Sequence, residues 1–443
     1  MNVILIVVDC LRSDHLGING YKRDTTPNID GLAKNGVIFP NCMATIPRTT
    51  PSVASILTGL YPHSHGIREL YTDRLKPSVS TLQEILKSHG YKTSGHSIDI
   101  RNSGLEKGFD SFNPLSWKII NKIRRSMIKA VKWKHKEGTG KALTNFAVKK
   151  INEAKGKNFF LYLHYVDAHW PYDVEHPYSK MFDKEYTGEH IFMNLKKIRR
   201  SDLIFRNNLS QKEITHAISH YDGALRYIDF QIGRIISHLE KKKLIDETLI
   251  IVTSDHGESL GEHNIYFSHG DYAYDAELKV PLIFSKKILP DSRYDFQVQS
   301  TDIMPTILDI LKMPLIDKID GKSLVKCAEK SEWRKLSYAE GGISYFKDNS
   351  RHYIDGIKGK WRMIRSNEWK LICIPHPENS IFELYNIKED PDETKNMIDA
   401  EKEKADALKA GLQAWMRNEK SDGNEPDLTE KSKKLLRSLG YMD

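Results

Sequence analysis

The chain has 443 residues, of which 39% are hydrophobic and 28% charged, fractions that are ordinary for a soluble globular protein with room for two or three domains. No stretch approaches the roughly 20 consecutive apolar residues of a membrane span. The longest early apolar run, residues 3–8, ends at Asp9 and lacks both a basic leader and a small-residue cleavage site. It therefore predicts a buried strand instead of a signal peptide.

The four cysteines are scattered without paired spacing, which excludes a disulfide framework or a zinc knuckle and favours a reducing, cytoplasmic setting. The formal net charge of +8 is concentrated, because residues 117–136 hold eight Lys or Arg residues and no acid. Ile120, Ile123, Met127 and Val131 recur there at helical spacing, which predicts a basic amphipathic helix. Such a helix is commonly a solvated face, and the alternative is contact with an anionic polymer or a membrane surface.

Hydrophobic periodicity predicts strands and helices that alternate along most of the chain. In chain order we predict a strand at 2–8, a helix ending at 57, a helix at 81–89, a strand at 158–165, a helix at 211–241, strands at 249–253 and 280–284, and a helix at 303–311. Short strands at 361–365, 369–374 and 381–387 indicate a small antiparallel sheet, followed by a helix at 400–415. Residues 14–17 and 24–30 are expected to form turns, residues 61–66 a loop, and residues 172–208 a surface excursion. This pattern indicates an α/β protein with a domain boundary near residue 330.

Residues 46–59 combine two adjacent hydroxyl groups, on Thr49 and Thr50, with Pro51 and an apolar helical pattern. Proline suits the first turn of a helix, and a hydroxyl group just before it lies where the unpaired N–H groups of that helix point. An anion would bind well at such a position. The pattern indicates a nucleophile turn, although it is also typical of a threonine that only caps a helix.

Asp9, Asp255 and His256 follow predicted strands, and Thr49 begins the predicted helix, so we expect these four side chains at one edge of the sheet. Two carboxylates, an imidazole and a hydroxyl suit one divalent metal ion, with zinc or manganese preferred and calcium or magnesium as alternatives. A cation touching Thr49 would lower the pKa of its hydroxyl and screen an anionic substrate. An Asp-His pair after a strand is also often only a hydrogen-bonded turn.

Three further side chains are candidates for catalysis. His169 and His269 could donate a proton to a leaving oxygen or bind the transferring group. Arg48, beside Thr49, could clamp a tetrahedral oxyanion. Each residue alone is more often structural than catalytic, so this prediction depends on the fold bringing them together.

Ordered motifs run through nearly the whole chain. They are Asp9-Cys-Leu-Arg-Ser-Asp14, Thr26-Pro-Asn-Ile-Asp30, Thr49-Thr-Pro-Ser52, Leu57-Thr-Gly-Leu-Tyr-Pro-His63, His164-Tyr-Val-Asp-Ala-His-Trp-Pro-Tyr172, Thr253-Ser-Asp-His-Gly257, Gly261-Glu-His263, Asp302-Ile-Met-Pro-Thr306, Asp320-Gly-Lys-Ser-Leu324 and Glu383-Leu-Tyr-Asn386. This series resembles the sulfatase family of the alkaline phosphatase superfamily. The resemblance implies a large mixed, mostly parallel sheet sandwiched by helices, with a small C-terminal α+β subdomain. It places the catalytic domain at 1–330, with a basic helical insertion at about 111–157, and the subdomain with its small antiparallel sheet and helix at 331–443.

The sequence departs from the family pattern at the nucleophile. Sulfatases of this family use a formylglycine made from Cys or Ser in a Cys/Ser-x-Pro-x-Arg motif, whereas the matching positions here are Thr49, Pro51 and Val53. Cys10 stands where the family has the second carboxylate of an Asp-Asp pair, and the expected Gly-Lys-x-His element is absent near residues 91–96. An aldehyde hydrate can expel sulfate by collapsing to the aldehyde, but a threonine sulfate needs direct hydrolysis.

The departures favour phosphate or phosphonate ester chemistry, resembling the superfamily's threonine-nucleophile phosphodiesterases and its phosphoglycerol or phosphoethanolamine transferases. We therefore predict a metal-dependent hydrolase that acts through Thr49 on a small-molecule, glycan-derived or lipid-derived ester. Three alternatives stay open: a sulfatase that works without formylglycine, a phosphoglycerol-type transferase, and a degenerate anion-binding module. We expect no specific nucleic-acid partner, and the sequence leaves homo-oligomerisation open.

Overall fold

A computed structural model describes residues 1–70, 73–98, 100, 103–115, 139–187, 209–316, 318–343, 360–375 and 379–418. Its strands are β1 (Asn2–Val8), β2 (Val37–Met43), β3 (Lys92–Ile98), β4 (Ser111–Leu115), β5 (Phe159–Tyr165), β6 (Thr248–Thr253), β7 (Ser259–Leu260), β8 (Tyr266–Ser268), β9 (Lys279–Phe284), β10 (Val298–Gln299), β11 (Ser337–Ile343), β12 (Lys360–Arg365), β13 (Trp369–Ile374) and β14 (Ile381–Asn386). Its α-helices are α1 (Pro27–Asn35), α2 (Thr49–Thr58), α3 (Pro62–His65), α4 (Leu82–Ser88), α5 (Thr139–Glu153), α6 (Gln211–Lys241), α7 (Asp275–Leu278), α8 (Ile303–Ile310), α9 (Leu324–Lys330) and α10 (Lys402–Asn418).

The large sheet has the strand order β10-β2-β9-β6-β1-β5-β3-β4. Strand β1 pairs in parallel with β5 on one side and β6 on the other, and all seven of its residues are buried. This burial explains its continuous apolar sequence, since a central parallel strand is covered on both faces. Strand β9 runs antiparallel to β6, so the sheet is mixed and mostly parallel. The predicted fold class is confirmed.

Helix α6 contributes the longest apolar stripe that covers this sheet. It begins at a capping box, in which the Ser210 side chain accepts from the Glu213 N–H and the Glu213 carboxylate accepts from the Ser210 N–H. Ile214, Tyr221 and Ile228 then recur along one face and belong to the same buried core as residues of β1 and β5. The helix predicted at 211–241 is therefore confirmed, and its apolar spacing reflects packing against the sheet.

The described residues form two compact units. The first comprises residues 1–40, 80–268 and 280–294, and the second comprises 41–79, 269–279 and 295–443. The second unit holds a four-stranded antiparallel sheet in the order β11-β12-β13-β14. Leu371 and Leu384 of this sheet share a buried core with Leu408 and Trp415 of α10. The boundary predicted near residue 330 stays a prediction.

The turn predicted at residues 24–30 is wrong, because helix α1 begins at Pro27. Its first N–H groups are satisfied from a distant part of the chain, where Asp229 of α6 is completely buried. The Oδ1 atom of Asp229 accepts from the N–H groups of Asn28 and Ile29 at 2.9 Å each. The residues around Pro27 do not reveal this capping interaction, because Asp229 is distant in the sequence, and the start of the helix was therefore not predicted.

Several other elements were not predicted. Residues 61–66, expected to form a loop, contain α3, and strands β2, β3, β4 and β11 carry weak periodic signals. The two ends of the segment predicted as a basic insertion, about 111–157, form β4 and α5. The basic helix predicted within 117–136 lies outside the described residues, as do residues 188–208. Among the described helices, none combines the length and apolar character that crossing a bilayer requires.

We expect Asp229→Ala to lower the free energy of unfolding by about 2 to 4 kcal/mol, because it leaves two helix N–H groups and the Arg226 guanidinium without their buried acceptor. Urea denaturation measures this loss. Asp229→Asn, which keeps one acceptor oxygen, should lose less. Glu240→Ala, an exposed change on the same helix, should stay within about 0.5 kcal/mol of the parent. A similar loss for Asp229→Ala and Glu240→Ala would contradict the capping role.

Candidate active site

Asp9 and Cys10 lie at the carboxyl end of β1 in the first unit. The Asp9 N–H donates to the Tyr165 carbonyl at 2.8 Å, which continues the pairing with β5 for one more residue. Cys10 then has a φ of +63°, so the chain turns away at this point. The Tyr221 hydroxyl donates to the Cys10 carbonyl at 2.7 Å and accepts from the Arg12 N–H at 3.1 Å. Helix α6 thus holds the turn that aims the Asp9 carboxylate.

Asp255 and His256 follow β6 in the same way. Val7 of β1 is in register with Thr253 of β6, so Asp9 and Asp255 each lie two residues beyond a paired position. The Ser254 hydroxyl strengthens this alignment, because it donates to the Val8 carbonyl at 2.6 Å and accepts from the Leu11 N–H at 3.0 Å. The parallel register therefore brings the two carboxylates side by side.

The His256 imidazole lies against both carboxylates. Its Nε2 atom is 3.6 Å from Asp9 Oδ1 and 3.4 Å from Asp255 Oδ2. Its Nδ1 atom is 2.9 Å from the Gly257 carbonyl, which can only accept, so Nδ1 carries a proton. In the neutral ring, Nε2 therefore presents its lone pair to the space shared with the carboxylates. One ligand atom from each of these three buried residues lies within 4.8 Å of the others.

The charges of this cluster fit a cation. Burial raises the pKa of Asp9 well above its usual value, and the negative charge of Asp255 raises it further. Two buried carboxylates repel each other strongly unless a positive charge lies between them. Two carboxylates and one imidazole are donors that suit zinc or manganese. The residues thus fit the divalent metal predicted from the sequence.

Cys10 supplies a thiol beside this cluster. Burial and the neighbouring Asp9 charge raise the pKa of the Cys10 thiol well above its usual value. The thiol therefore keeps its proton and donates to Asp9 Oδ1 at 3.1 Å. The four cysteines, which all lie in the described ranges, are buried, and none of them forms a disulfide.

Glu258 is a buried carboxylate near the cluster that the sequence analysis missed. The Tyr172 hydroxyl donates to Glu258 Oε1 at 2.7 Å, and burial raises the pKa of Glu258. The predicted catalytic His169 interacts with Glu258 electrostatically. His169 Nδ1 is 2.8 Å from the Trp170 carbonyl and therefore carries a proton, which leaves Nε2 as the basic nitrogen of the neutral ring. Glu258 directly follows the motif at residues 253–257 and lies two residues after His256, and this position was the available signal.

Thr49, Arg48 and His269 belong to the second unit. The predicted nucleophile turn forms the start of α2, whose residues are all buried, with Thr49 9% and Thr50 3% exposed. The Ser52 N–H donates to the Arg48 carbonyl at 3.0 Å, which closes the first turn. The sequence-predicted helix is confirmed. The nucleophilic role of Thr49 and the role of His269 stay predictions.

The Arg48 guanidinium is engaged by protein acceptors within the second unit. Nε donates to the Gly270 carbonyl at 3.0 Å, and Nη2 donates to Asp271 at 2.7 Å. Nη1 forms an ion pair with Glu69. A substrate oxyanion would have to compete with these two carboxylates, so the predicted clamp remains a prediction. The contacts themselves indicate that Arg48 anchors the loop that carries His269.

The ionic contacts continue beyond Glu69 in this unit. Lys360 Nζ lies 2.6 Å from Glu69 Oε1, and Arg68 pairs through Nε and Nη2 with the fully buried Glu340. Burial alone would raise the pKa of Glu340, but the charges of Arg68 and Lys360 lower it to about 2. The folded unit therefore favours ionised Glu340.

We expect Glu340 to contribute to acid sensitivity. Because its pKa is lower in the folded protein, its contribution is complete above about pH 4.5 and is lost as the pH falls towards about 2, amounting to about 3 kcal/mol. Urea unfolding as a function of pH measures this effect. Glu340→Gln should lose less stability over that range than the parent protein. The exposed change Glu332→Gln should leave the parent profile intact, and equal acid profiles for both variants would contradict the assignment.

We expect the purified protein to bind about one equivalent of zinc or manganese. Asp9→Asn or Asp255→Asn removes a direct ligand, so either change should weaken metal binding by more than about 100-fold, since the loss of an outer-shell contact weakens it by about 10- to 100-fold. Competition with a chromogenic chelator measures the dissociation constants. Asp24→Asn, which alters an exposed carboxylate of the same unit, is the matched control and should bind metal normally. If Asp255→Asn bound metal as tightly as the parent, the assignment of the Asp9 and Asp255 carboxylates as metal ligands would be contradicted.

Comparison with known proteins gives consistent matches over the whole chain. The family model described as Sulfatase matches residues 1–313, and the one described as N-sulphoglucosamine sulphohydrolase, C-terminal, matches residues 261–422. An arylsulfatase of Clostridium perfringens (strain 13 / Type A) is 27% identical over 466 residues, covering 92% of each sequence.

Two solved structures share the fold. BT4656, in complex with its substrate D-glucosamine-2-N,6-O-disulfate, has a TM-score of 0.74 and 21% identity, over 97% of this chain and 99% of that one. The phosphonate monoester hydrolase of Agrobacterium radiobacter has a TM-score of 0.74 and 22% identity, over 97% and 98%. At these identities the matches establish the fold alone.

Proposed function

Because this chain belongs to the sulfatase family of the alkaline phosphatase superfamily, we propose that it is a metal-dependent hydrolase of sulfuric esters. Members of this family generally bind a divalent metal ion. The observation that carries the proposal is the buried cluster of Asp9, Asp255 and His256 at the ends of two parallel strands. These residues would hold the ion, whose charge would screen an anionic ester and favour ionisation of a nearby hydroxyl.

The preference for phosphate esters drawn from the sequence has no specific support among the relatives. The matching proteins are mostly named sulfatases, including an arylsulfatase, and two structural neighbours are phosphonate monoester hydrolases. We therefore place a sulfate ester of a small molecule or glycan first. A phosphonate or phosphate ester is the second candidate, because Thr49 stands where the family pattern expects a formylglycine precursor.

In the proposed reaction Thr49 is the nucleophile. Its hydroxyl would lose a proton to solvent as the oxygen attacks the sulfur or phosphorus atom, which forms a threonine ester and breaks the bond to the ester oxygen. His169, protonated on both ring nitrogens, would give its Nε2 proton to that oxygen, which leaves as the alcohol, and would regain a proton from the attacking water in the second step. Water would then cleave the threonine ester, restoring the hydroxyl group and releasing sulfate or the phosphorus acid. His269 would bind the transferring group, and Arg48 would act by holding the loop of His269. The second step is the more demanding one for a sulfate ester, because no aldehyde hydrate is available.

An activity screen separates the candidates. We would compare 4-nitrophenyl sulfate, a phosphonate monoester and an aryl phosphodiester, each with added zinc, manganese, calcium or magnesium. Sulfate turnover that exceeds the others supports the first candidate, and phosphonate or phosphate turnover that is larger by orders of magnitude establishes the second. Transfer of the group to an added alcohol in preference to water would indicate a transferase. Metal binding without any turnover would indicate an anion-binding module.

We expect Thr49→Ala to lower kcat/KM by about a thousandfold or more, since it removes the attacking oxygen. Thr50→Ala is the matched control, because Thr50 is the next residue of α2 and is also buried. It should retain activity to within about tenfold. Thermal unfolding of both variants checks that the helix is intact. Full activity in a folded Thr49→Ala protein would eliminate the threonine as nucleophile.

A further inference from the structure

His164 is a buried histidine for which the proposed reaction has no use. It lies near the carboxyl end of β5 and is 0% exposed. Its Nδ1 atom is 3.2 Å from the Ser97 hydroxyl oxygen and 3.3 Å from the Tyr162 hydroxyl oxygen. Its Nε2 atom has no hydrogen-bond partner within the described ranges. Leaving a buried polar nitrogen unpaired lowers stability, so its orientation requires a cause.

The Nε2 atom faces the candidate metal centre. It lies 3.7 Å from Asp255 Oδ2, which is too long for a hydrogen bond and short enough for a direct electrostatic interaction. The same Oδ2 atom is 3.4 Å from Nε2 of His256. The Asp255 carboxylate thus lies between two imidazole rings, of which only His256 approaches Asp9 as well.

The neighbours of His164 favour one tautomer. If the Ser97 or Tyr162 hydroxyl donates to Nδ1, then Nε2 carries the proton and directs a positive N–H dipole at Asp255. In the other tautomer, Nδ1 would donate to a hydroxyl and Nε2 would direct a lone pair at the carboxylate. The second arrangement is repulsive in a buried site, so the first has the lower free energy.

We propose that His164 is a positioning residue, which orients the Asp255 carboxylate through its Nε2–H group while its Nδ1 atom accepts from the Ser97 or Tyr162 hydroxyl. The proposal rests on the metal centre proposed above at Asp9, Asp255 and His256. Outer-shell partners of this kind alter metal affinity by about 10- to 100-fold, because they fix the direction of the ligand oxygens. His164 would therefore influence metal affinity without touching the substrate.

Zinc dissociation constants test this role directly. We expect His164→Phe, which keeps an aromatic ring and removes the donor, to bind zinc at least about tenfold more weakly than the parent. His164→Gln should restore most of the affinity, because its amide N–H can take the position of Nε2–H. His96→Phe is the control, since His96 is a buried histidine of β3 whose ring packs against Phe146. It should bind zinc normally even where it lowers the melting temperature.

The tautomer provides a readout that needs neither metal nor activity. In metal-free protein labelled with ¹⁵N-histidine, and with the His164 signal assigned by its loss in His164→Gln, we expect Nε2 protonated and Nδ1 unprotonated. Asp255→Asn, which removes the negative charge that disfavours a lone pair on Nε2, should increase the fraction of the Nδ1–H form, for which the Ser97 and Tyr162 hydroxyl oxygens are acceptors. A parent protein with Nδ1 protonated overturns the inference.

The two readouts separate this inference from the proposed function. Zinc binding by the parent with unchanged affinity in His164→Phe overturns the positioning role and leaves the metal centre in place. Absence of metal binding by the parent removes the proposed centre, whereas the tautomer in metal-free protein still decides whether His164 donates to Asp255. Weaker zinc binding in His164→Phe together with recovery in His164→Gln supports the inference.

Discussion

The burial of two carboxylates at neighbouring strand ends is the constraint on which the first unit depends. The parallel register of β1 and β6 places Asp9 and Asp255 side by side, and neither is more than 2% exposed. Two like charges interact far more strongly in a protein interior than in water, so such a pair is stable only with compensating groups. The thiol of Cys10, which donates to Asp9, supplies part of that compensation. A site for a cation is the simplest physical reason to keep both acids.

This constraint also explains the polar groups around the pair. The Ser254 hydroxyl links the end of β6 to the chain at the end of β1. The hydroxyl of Tyr221, a residue of α6, hydrogen-bonds to the turn after Asp9. Each of these bonds fixes backbone that leads directly into a carboxylate. Catalytic and metal-binding groups need such fixed backbone, because small displacements of a ligand weaken binding. The first unit thus builds its site from strand ends and supports it with hydroxyl groups.

The sequence predicts the elements whose own residues carry a strong apolar signal. Strand β1 and helix α6 are of this kind, since each buries a continuous run or a regular stripe. Strand β3 (Lys92–Ile98) was missed, because most of its residues are small or polar and give no apolar pattern. These residues are buried between the neighbouring strands β4 and β5. Helix α1 was missed because Asp229, some 200 residues away, caps it. Long-range pairing and capping leave no local trace in a sequence.

Part of the candidate site could be predicted because its residues follow strands with a strong apolar signal. Acids and a histidine after apolar strands indicate a shared edge, which is how Asp9, Asp255 and His256 were found. His164 and Glu258 were not identified as site residues. His164 lies inside a strand and Glu258 lies just after the motif at residues 253–257, and their relation to the site becomes clear only from their contacts with Asp255 and Tyr172. Arg48 shows the reverse case, in which a residue type suited to binding an oxyanion is engaged by Glu69 and Asp271.

Cys10 gives this site a charge that differs from the family pattern. A carboxylate at this position would add a negative charge to a buried cluster that already holds Asp9, Asp255 and Glu258, whereas the protonated thiol adds none and donates to Asp9. Fewer charged oxygens weaken the attraction for a hard ion such as calcium, which prefers six to eight oxygen ligands. The imidazole of His256 and the nearby sulfur are tolerated better by borderline ions. The departure at Cys10 therefore supports zinc or manganese over calcium in the proposed centre.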